Sequence, residues 1–187
     1  MAQQSIRTLY NADQPQKFYT KTALSIINMG VMRGLSPDYM RSTPAITDWI
    51  NGQLNRDTYL KSCGFQMLGE VATVGYTNHY YAALGKSCAY NKMLSALWRE
   101  SPMQKKQPHQ QVMTMAALLH VDHEGDALLP ALIDASGVDT AAWLAAYFKA
   151  YLTPLLHCFF QYELVFMPHG ENVILILDQH QPVGIFM

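Results

Sequence analysis

The sequence predicts an α+β fold, with helices in the middle of the chain and sheet at its ends. Five aliphatic residues in a row, Val173 to Leu177, precede a turn and a second apolar run, a pattern typical of a closing β-hairpin with a buried first strand. Asp139 is placed to cap a long helix that extends to about Glu163. Residues 68–76 favour a strand because they include several β-branched side chains.

The first third of the chain carries two further helix signals. The apolar spacing within residues 18–35 predicts a helix for the later part of that range, which Gly34 would end. Residues 47–62 begin with a capping residue, Thr47, and predict a short helix followed by a polar turn.

The middle of the chain alternates helix and loop signals. Residues 90–100 have apolar side chains on one side of a predicted helix, and residues 101–111 contain two prolines and many polar residues, which is typical of an exposed loop. Asp126 is expected to cap a short helix that Gly137 ends. Pro154 is expected to kink the long helix that follows.

Composition limits the functional classes. The 187 residues fit a single domain, or one and a half, with a hydrophobic share of 50% and a charged share of 14%. A net charge of −1 gives no reason to expect nucleic-acid or membrane-surface binding. The three cysteines show no metal-binding or redox spacing, and the first residues lack the apolar region of a signal peptide. No segment predicts a membrane span, so the expected location is the cytoplasm.

Basic residues are concentrated near the start of the chain. The first 41 residues hold five basic and two acidic side chains, a local charge of +3: Arg7, Lys17, Lys21, Arg33 and Arg41 against Asp13 and Asp38. Arg33 lies among apolar neighbours, where a charged side chain is usually paired or binds an anion. The alternatives are a salt bridge or a side chain whose charged end reaches solvent.

A second candidate for anion binding lies close by. Ser5, Arg7 and Thr8 place two hydroxyls and a guanidinium within four residues, a combination that suits a phosphate. In an extended segment, Ser5 and Arg7 would point to one face. The alternative is a solvated polar stretch without a ligand.

The strongest candidate precedes the closing hairpin. His169, Glu171 and Asn172 bring an imidazole, a carboxylate and an amide together beside a buried strand. Such groups can bind a substrate and ligate Mg²⁺ at a phosphate. The alternative is a polar turn that satisfies its own hydrogen bonds.

Two other polar clusters predict no site. Residues 120–124 contain histidine and acidic side chains, but their spacing matches no metalloprotease motif and the stretch leads into a turn, so a solvated loop is expected. His157 and Cys158 are adjacent on a helix and diverge by about 100°, which argues against a cysteine–histidine dyad.

Four segments in order carry a family resemblance: Ser5-x-Arg7-Thr8, KTALSIINMGVMRGLS from Lys21, YNKMLSALWRESP from Tyr90, and PHGEN from Pro168. Their combination resembles the NRPS-independent siderophore synthetases of the IucA/IucC aerobactin synthase family, most closely the desferrioxamine and alcaligin synthetase branch. The resemblance covers essentially the whole chain.

The resemblance implies a cupped-hand fold, with part of a β-rich fingers region in residues 1–75 and a helical palm region in residues 76–187. It implies an Mg-ATP-dependent ligase that adenylates a carboxylate, here of a succinyl-hydroxamate type, and condenses it with a polyamine-derived amine. It also implies a homodimer.

The resemblance assigns five residues to the anions. Ser5, Arg7 and Thr8 would hold the ATP phosphates, and Lys21 would neutralise phosphate charge. Arg33 would act at the α-phosphate and the substrate carboxylate, where charge builds as the adenylate forms.

The resemblance assigns the other three roles to residues of the polar tetrad, His169-Gly170-Glu171-Asn172. His169 would contact the substrate or adenylate as a catalytic residue, Glu171 and Asn172 would contact the nucleotide, and Asn172 would also ligate Mg²⁺. Two positions depart from the family pattern. Glu171 stands where many members have glutamine, and Met29 stands where citrate-using relatives tend to carry a hydroxyl residue, which argues against citrate.

Family members are about three times as long, and an N-terminal ATP motif and an acidic metal ligand expected beyond Met187 are not in this sequence. A central fragment that does not complete adenylation alone is therefore predicted. Two alternatives remain: a kinase-like phosphotransferase, and a non-catalytic fragment that keeps the fold.

Overall fold

The computed structural model describes residues 1–2, 5, 7–28 and 30–187. Its helices and sheets confirm the predicted α+β class. The strands are β1 (Thr8–Leu9), β2 (Tyr19–Thr22), β3 (Ile27–Asn28), β4 (Val31–Met32), β5 (Phe65–Gln66), β6 (Glu70–Gly75), β7 (Ser95–Arg99), β8 (Gln111–Thr114), β9 (Ile174–Asp178) and β10 (Gln181–Phe186). The α-helices are α1 (Pro37–Met40), α2 (Thr43–Leu54), α3 (Thr58–Ser62), α4 (His79–Ala83), α5 (Leu128–Ser136) and α6 (Thr140–Tyr162).

The chain divides into two compact units. The first contains Met1–Gly52 and Leu68–Gln104, and the second contains Gln53–Met67 and Lys105–Met187. Residues 76–104 therefore pack within the first unit, and the units are not bounded at residue 75. The assignment of fingers and palm regions stays a prediction.

The first unit is built on an antiparallel sheet in the order β1-β2-β7-β6. Strand β6 confirms the strand predicted over residues 68–76. Helix α1 packs on this sheet, and its Met40 lies in a buried cluster with Leu35 and Leu97, against which Ala23 packs. The Thr73 hydroxyl donates to the Met40 carbonyl at 2.7 Å, which joins α1 to β6.

Two predicted helices in the first unit are wrong. Residues 18–35 form β2 and the hairpin of β3 and β4, with Gly30 at φ 76° in the turn. Residues 90–100 end a short 3₁₀ turn, Ala89–Lys92, and continue as β7. In both ranges the apolar spacing fits a period of 3.6 or 2, and pairing with neighbouring strands selects the shorter period.

The boundaries of two other predictions also change. The first helix in residues 47–62 begins earlier, as α2, and α3 is a separate helix capped by Asp57, whose carboxylate accepts from the Leu60 N–H at 3.0 Å. The predicted exposed loop over residues 101–111 begins with a fully buried residue, Ser101. The Ser101 hydroxyl donates to the Pro15 carbonyl at 2.9 Å, which satisfies this buried polar group.

The second unit is built on a sheet in the order β5-β10-β9-β8, in which β5 and β10 are parallel and the other pairs antiparallel. The predicted closing hairpin is therefore confirmed. Its core is fully excluded from solvent, with five side chains at 0% exposure: Val173, Leu175, Leu177, Ile185 and Phe186. Such a strand pair offers a rigid frame for the residues at its ends.

Helix α6 packs on β10 and matches the predicted helix at both ends. The Asp139 carboxylate accepts from the Ala142 N–H at 3.0 Å, and Glu163 ends the helix with φ 55°. The indole of the buried Trp143 donates to the His180 carbonyl at 3.0 Å, which ties the helix to the hairpin turn. The helix runs through Pro154.

Helix α5 ends at Gly137 as predicted, with φ 70°. Asp126 does not cap it. The N-cap is Ala127, and the Asp126 N–H instead donates to the Asp122 carboxylate at 2.9 Å within the preceding turn.

A close backbone approach between Gly64 and Gly184 lets β5 lie beside β10. A Cβ on Gly184 would overlap the Gly64 carbonyl, and one on Gly64 would overlap the Val183 carbonyl while keeping φ at 68°. We expect Gly184→Ala to lower the free energy of unfolding by about 2 kcal/mol or more, measured by urea denaturation. Gly52→Ala is the control, since a Cβ there meets nothing within 4 Å and alanine favours α2 by up to about 1 kcal/mol. Equal effects at the two sites would contradict the packing argument.

Candidate functional site

Strand β2 holds Lys21 at the centre of a basic cluster in the first unit. Lys21 lies opposite Thr8 on β1 and opposite Leu97 on β7, so these side chains share one face of the sheet. Leu97 is 1% exposed and forms the apolar floor of that face. Burial lowers the pKa of the Lys21 ammonium below its ordinary value, and the charges of Arg7 and Arg99 lower it further, while Glu70 opposes the shift.

Arg7 reaches the same cluster from a turn. The Thr8 N–H donates to the Ser5 carbonyl at 2.7 Å, and the Thr8 hydroxyl donates to the Ser5 hydroxyl at 3.4 Å. Ser5 and Thr8 are therefore joined by a turn, which brings their two hydroxyls together. The Arg7 guanidinium donates to the Gly34 carbonyl at 2.7 Å, and its pKa is lowered by burial and then by the charge of Arg33.

Arg33 is held by the base of the β3–β4 hairpin. Its N–H donates to the Ile26 carbonyl at 3.0 Å, and its carbonyl accepts from the Leu24 N–H at 3.1 Å. The backbone at Arg33 is therefore fixed without the use of its side chain. Sequence analysis left open a salt bridge made by Arg33. Among the residues that the structure describes, no acidic side chain forms one with Arg33, and the charge of Arg33 acts on Arg7 instead.

Arg99 belongs to this cluster, and sequence reasoning missed it. It lies on β7 directly between Tyr19 on β2 and Glu70 on β6. Its Nε atom is buried without a hydrogen-bond partner in the described structure. Burial lowers the pKa of the Arg99 guanidinium, and Glu70, Tyr19 and Glu100 oppose that shift. The predicted helix over residues 90–100 concealed this position, since only the strand register brings Arg99 beside Tyr19.

The cluster has the electrostatics of an anion site. Burial and the charges of neighbouring cations lower the pKa of Arg7 and of Lys21, and burial lowers the pKa of Arg99. Arg33 adds a fourth positive charge, which acts on Arg7. A bound anion would relieve that repulsion and accept hydrogen bonds from the guanidinium groups. The unpartnered Nε of Arg99 is a further buried donor in the same region. Phosphates and carboxylates are the groups that such a set of donors binds.

The predicted tetrad lies in the second unit as a tight turn before β9. The His169 carbonyl accepts from the Asn172 N–H at 2.8 Å and from the Val173 N–H at 3.3 Å. His169 and Glu171 are exposed, and Asn172 is partly buried. The backbone of the turn is thus satisfied internally, as the polar-turn alternative expected, while the side chains of His169 and Glu171 face solvent.

Neighbouring elements hold this turn. The Gly170 carbonyl accepts from the Ala116 N–H at 2.9 Å, and a Cβ on Gly170 would lie 3.0 Å from the Ala116 side chain. Upstream, the Tyr151 hydroxyl on α6 donates to the Pro168 carbonyl at 2.9 Å. A side chain at Gly170 would therefore crowd Ala116, and glycine suits this close approach.

The chemistry of Asn172 suits the role of metal ligand that was predicted for it. Its amide nitrogen donates to the Met167 carbonyl at 3.0 Å, which leaves the amide oxygen as the atom available to a cation. Amide oxygen is a ligand that Mg²⁺ accepts. Met29, on which the argument against citrate rests, lies outside the described residues.

The acidic loop between β8 and α5 is exposed, as the sequence predicted. Carboxylates of Asp122, Glu124 and Asp126 lie within 4.8 Å of one another, and all three residues are exposed. Asp122 already accepts the N–H groups of Glu124 and Asp126, both at 2.9 Å. These hydrogen bonds form a tight turn, and the turn explains why the three carboxylates lie close together.

A second polar cluster in this unit was also missed. The carboxylate of Asp57 accepts from the Tyr162 hydroxyl at 2.7 Å and contacts the His157 Nε2 at 2.7 Å, while Tyr59 packs on the His157 ring at a centroid distance of 4.7 Å. Burial raises the pKa of the neighbouring Cys158 thiol to about 11, and the charge of Asp57 adds to this. Cys158 is therefore a core residue, and His157 has a polar partner, Asp57, that is 100 residues away in sequence.

Similarity to known proteins agrees with these features. The model of the IucA / IucC family matches residues 1–120, and one described as a ferric iron reductase FhuF-like transporter matches residues 141–187. The chain is 58% identical to putrebactin synthase of Shewanella sp. (strain MR-4), a match that covers 99% of this chain and 30% of that protein.

Two solved structures share the fold over the whole chain. Aerobactin synthetase IucC from Klebsiella pneumoniae aligns with a TM-score of 0.83 and 31% identity, covering 100% of this chain and 31% of that one. Petrobactin biosynthesis protein AsbB from Bacillus anthracis str. Sterne aligns with a TM-score of 0.89 and 27% identity, covering 100% of this chain and 30% of that one.

These structures define the class of fold, that of the NRPS-independent siderophore synthetases, and confirm the fold that the sequence predicted. The family match over residues 1–120 covers more than half of the chain. The chain therefore belongs to the IucA/IucC family, and it spans about 30% of the length of the relatives it matches. Across the described residues, no helix combines the length and apolar character needed to cross a membrane.

Proposed function

We propose that the complete protein is an ATP-dependent siderophore synthetase. It would adenylate the carboxylate of a succinyl-hydroxamate-type substrate and condense it with a polyamine-derived amine to form an amide, as in the desferrioxamine and alcaligin branch. Membership of the IucA/IucC family supports this proposal, and the observation that carries it is the cluster of half-buried cations around Lys21. A synthetase that uses ATP and a carboxylate must bind several negative charges at once.

The proposed phosphate contacts come from the first unit. Ser5, Arg7 and Thr8 would hold the ATP phosphates, since their turn gathers two hydroxyls and a guanidinium. Lys21 would neutralise phosphate charge. Arg33 would act at the α-phosphate and the substrate carboxylate, because the hairpin fixes its backbone and leaves its guanidinium available.

The proposed roles of the tetrad follow the family resemblance. His169 would contact the substrate or the adenylate, and Glu171 and Asn172 the nucleotide. Asn172 would also ligate Mg²⁺ through its amide oxygen, and bound Mg²⁺ would offset phosphate charge. Glu171 carries a negative charge, so its contact with phosphates depends on that metal.

The chemistry would proceed in two steps. A carboxylate oxygen attacks the α-phosphorus, the bond to the β-phosphate oxygen breaks, and pyrophosphate leaves. The amine then attacks the acyl carbon and AMP leaves, with loss of the amine proton. In the first step negative charge builds on the α-phosphate oxygens, where Arg33 would stabilise it.

The remaining properties are proposed on the same basis. The partners would be a small-molecule carboxylate, a polyamine-derived amine and a second copy of the protein in a homodimer. We propose no nucleic-acid or membrane partner, since the net charge is −1. The proposed location is the cytoplasm.

A product analysis tests this function. The complete protein is incubated with MgATP, a succinyl-hydroxamate carboxylate and a diamine-derived amine, and the nucleotide products are separated by chromatography. We expect AMP and pyrophosphate in proportion to amide, and neither without the carboxylate. Formation of ADP would instead support a kinase-like phosphotransferase. Absence of ATP binding would support a non-catalytic scaffold that retains the fold.

A further inference from the structure

We propose that Arg99 is a positioning residue for Lys21: its charge offsets that of Glu70 on the neighbouring strand and so leaves the Lys21 ammonium available to an anion. The inference rests on the proposed function, because the anion is taken to be the polyphosphate of ATP. Arg99 itself need not touch that ligand.

The strand register places Arg99 between the two groups. Glu70, Arg99 and Tyr19 lie directly opposite one another on β6, β7 and β2. Lys21 is two residues from Tyr19 on the same strand, so its side chain lies on the same face and on the diagonal from Arg99. Arg99 is therefore next to Glu70 in the register, whereas Lys21 lies one strand farther from Glu70.

The charges of these residues make their arrangement important for Lys21. Glu70 attracts both cations, since its negative charge favours the charged forms of Arg99 and Lys21. The other nearby acid, Glu100, accepts the Gly69 N–H at 2.6 Å and follows Arg99 directly in the chain, so the two side chains diverge. If Arg99 lost its charge, the uncompensated charge of Glu70 would draw the Lys21 ammonium towards itself and would repel an incoming anion.

Burial explains why an arginine suits this position. The Nε of Arg99 is shielded from solvent without a hydrogen-bond partner, so water does not screen this side of the guanidinium charge. Arginine also keeps its charge despite burial, whereas a buried lysine loses its proton more readily. The side chain thus maintains a fixed positive charge beneath the anion site.

The test is a double-mutant cycle on the complete protein, read by isothermal titration calorimetry with MgATP and with inorganic pyrophosphate. We expect Arg99→Gln to weaken binding roughly tenfold, through loss of one charge and exposure of another. Glu70→Gln alone should tighten binding roughly twofold, because it removes a negative charge from the cluster. In the double variant, Glu70→Gln should recover most of the affinity lost with Arg99→Gln.

Each outcome decides the matter. No recovery in the double variant would overturn the proposal in favour of a direct contact between Arg99 and the anion or a purely structural role. Failure of the wild-type protein to bind either ligand would overturn the proposed function itself, whereas normal wild-type binding with an unchanged Arg99→Gln variant would overturn only the role of Arg99.

A conservative variant keeps the proposal falsifiable if Arg99→Gln does not fold. Arg99→Lys retains a charge that can pair with Glu70, so we expect binding within roughly threefold of the wild type. A direct bidentate contact between the guanidinium and the anion predicts a loss of roughly tenfold or more, which would contradict the proposal.

Discussion

Replacing Arg33 with glutamate should abolish ATP–pyrophosphate exchange by the complete protein while leaving its fold intact. The proposed role of Arg33 is to stabilise charge that develops on the α-phosphate, and loss of one such group costs about 10²–10³ in rate. Charge reversal adds repulsion of ATP to that loss. The fold should survive because the backbone of Arg33, not its side chain, makes the hairpin hydrogen bonds.

A matched control is Arg41→Glu. Arg41 is also near the start of the chain, but its side chain is 76% exposed and only approaches Asp38, at 3.9 Å. We expect exchange activity close to that of the wild type, because an exposed ion pair contributes little. Exchange activity that survives Arg33→Glu, or falls equally in both variants, would show that the role proposed for Arg33 is wrong. Circular dichroism of both variants would verify folding.

Replacing Asp57 with alanine should cost more stability than the loss of a helix cap alone, which is about 1 kcal/mol. The Asp57 carboxylate accepts from Tyr162 and from the Leu60 N–H, and it contacts His157 at 2.7 Å. Its side chain is 9% exposed, so water cannot replace these partners fully. We expect a loss of about 2–4 kcal/mol in the free energy of unfolding, measured by urea denaturation at pH 7.

The contribution of Asp57 should depend on pH. The Tyr162 hydroxyl, the Leu60 N–H and His157 hold the pKa of the Asp57 carboxyl well below its ordinary value, against the effect of burial. A lowered pKa in the folded state gives a contribution that is complete above the unfolded value, about 3.9, and that is lost as the pH falls through the folded pKa. The stability difference between wild type and Asp57→Ala should therefore shrink below pH 4.

Asp139→Ala is the control for this prediction. Asp139 also caps a helix in the second unit, but its carboxylate accepts only the Ala142 N–H within the described structure. A single cap contributes about 1 kcal/mol. If Asp57→Ala costs no more than Asp139→Ala, the cluster with His157 and Tyr162 adds nothing to the cap, and the prediction fails.

Local chemistry was enough to predict the elements that carry their own signals. The closing hairpin, strand β6 and helix α6 with the Asp139 cap lie close to where the sequence placed them. In each, the hydrophobic pattern and the flanking residues agree on one structure. The polar run His169–Asn172 before β9 was likewise located from sequence, because a polar run beside a buried strand is conspicuous, and its role as a site stays a prediction.

The elements that sequence reasoning mistook are those whose pattern fits two periods. Residues 18–35 and 90–100 contain apolar residues at spacings that suit a helix, yet they form strands β2 and β7 at the centre of the first sheet. Strands β2 and β7 pair with segments remote in the chain, whereas the later part of residues 18–35 pairs with itself as the β3–β4 hairpin. In both cases strand pairing, not local propensity, selects the strand.

The sequence by itself determined the α+β class, the family and the residue types available for chemistry. Only the tertiary structure decided which of them meet. Arg99 joins the basic cluster because two strands pair in register, and Asp57 binds His157 across 100 residues because α3 and α6 pack together. Electrostatic and hydrogen-bond energies depend on distances of a few ångströms, and chain separation carries almost no information about such distances.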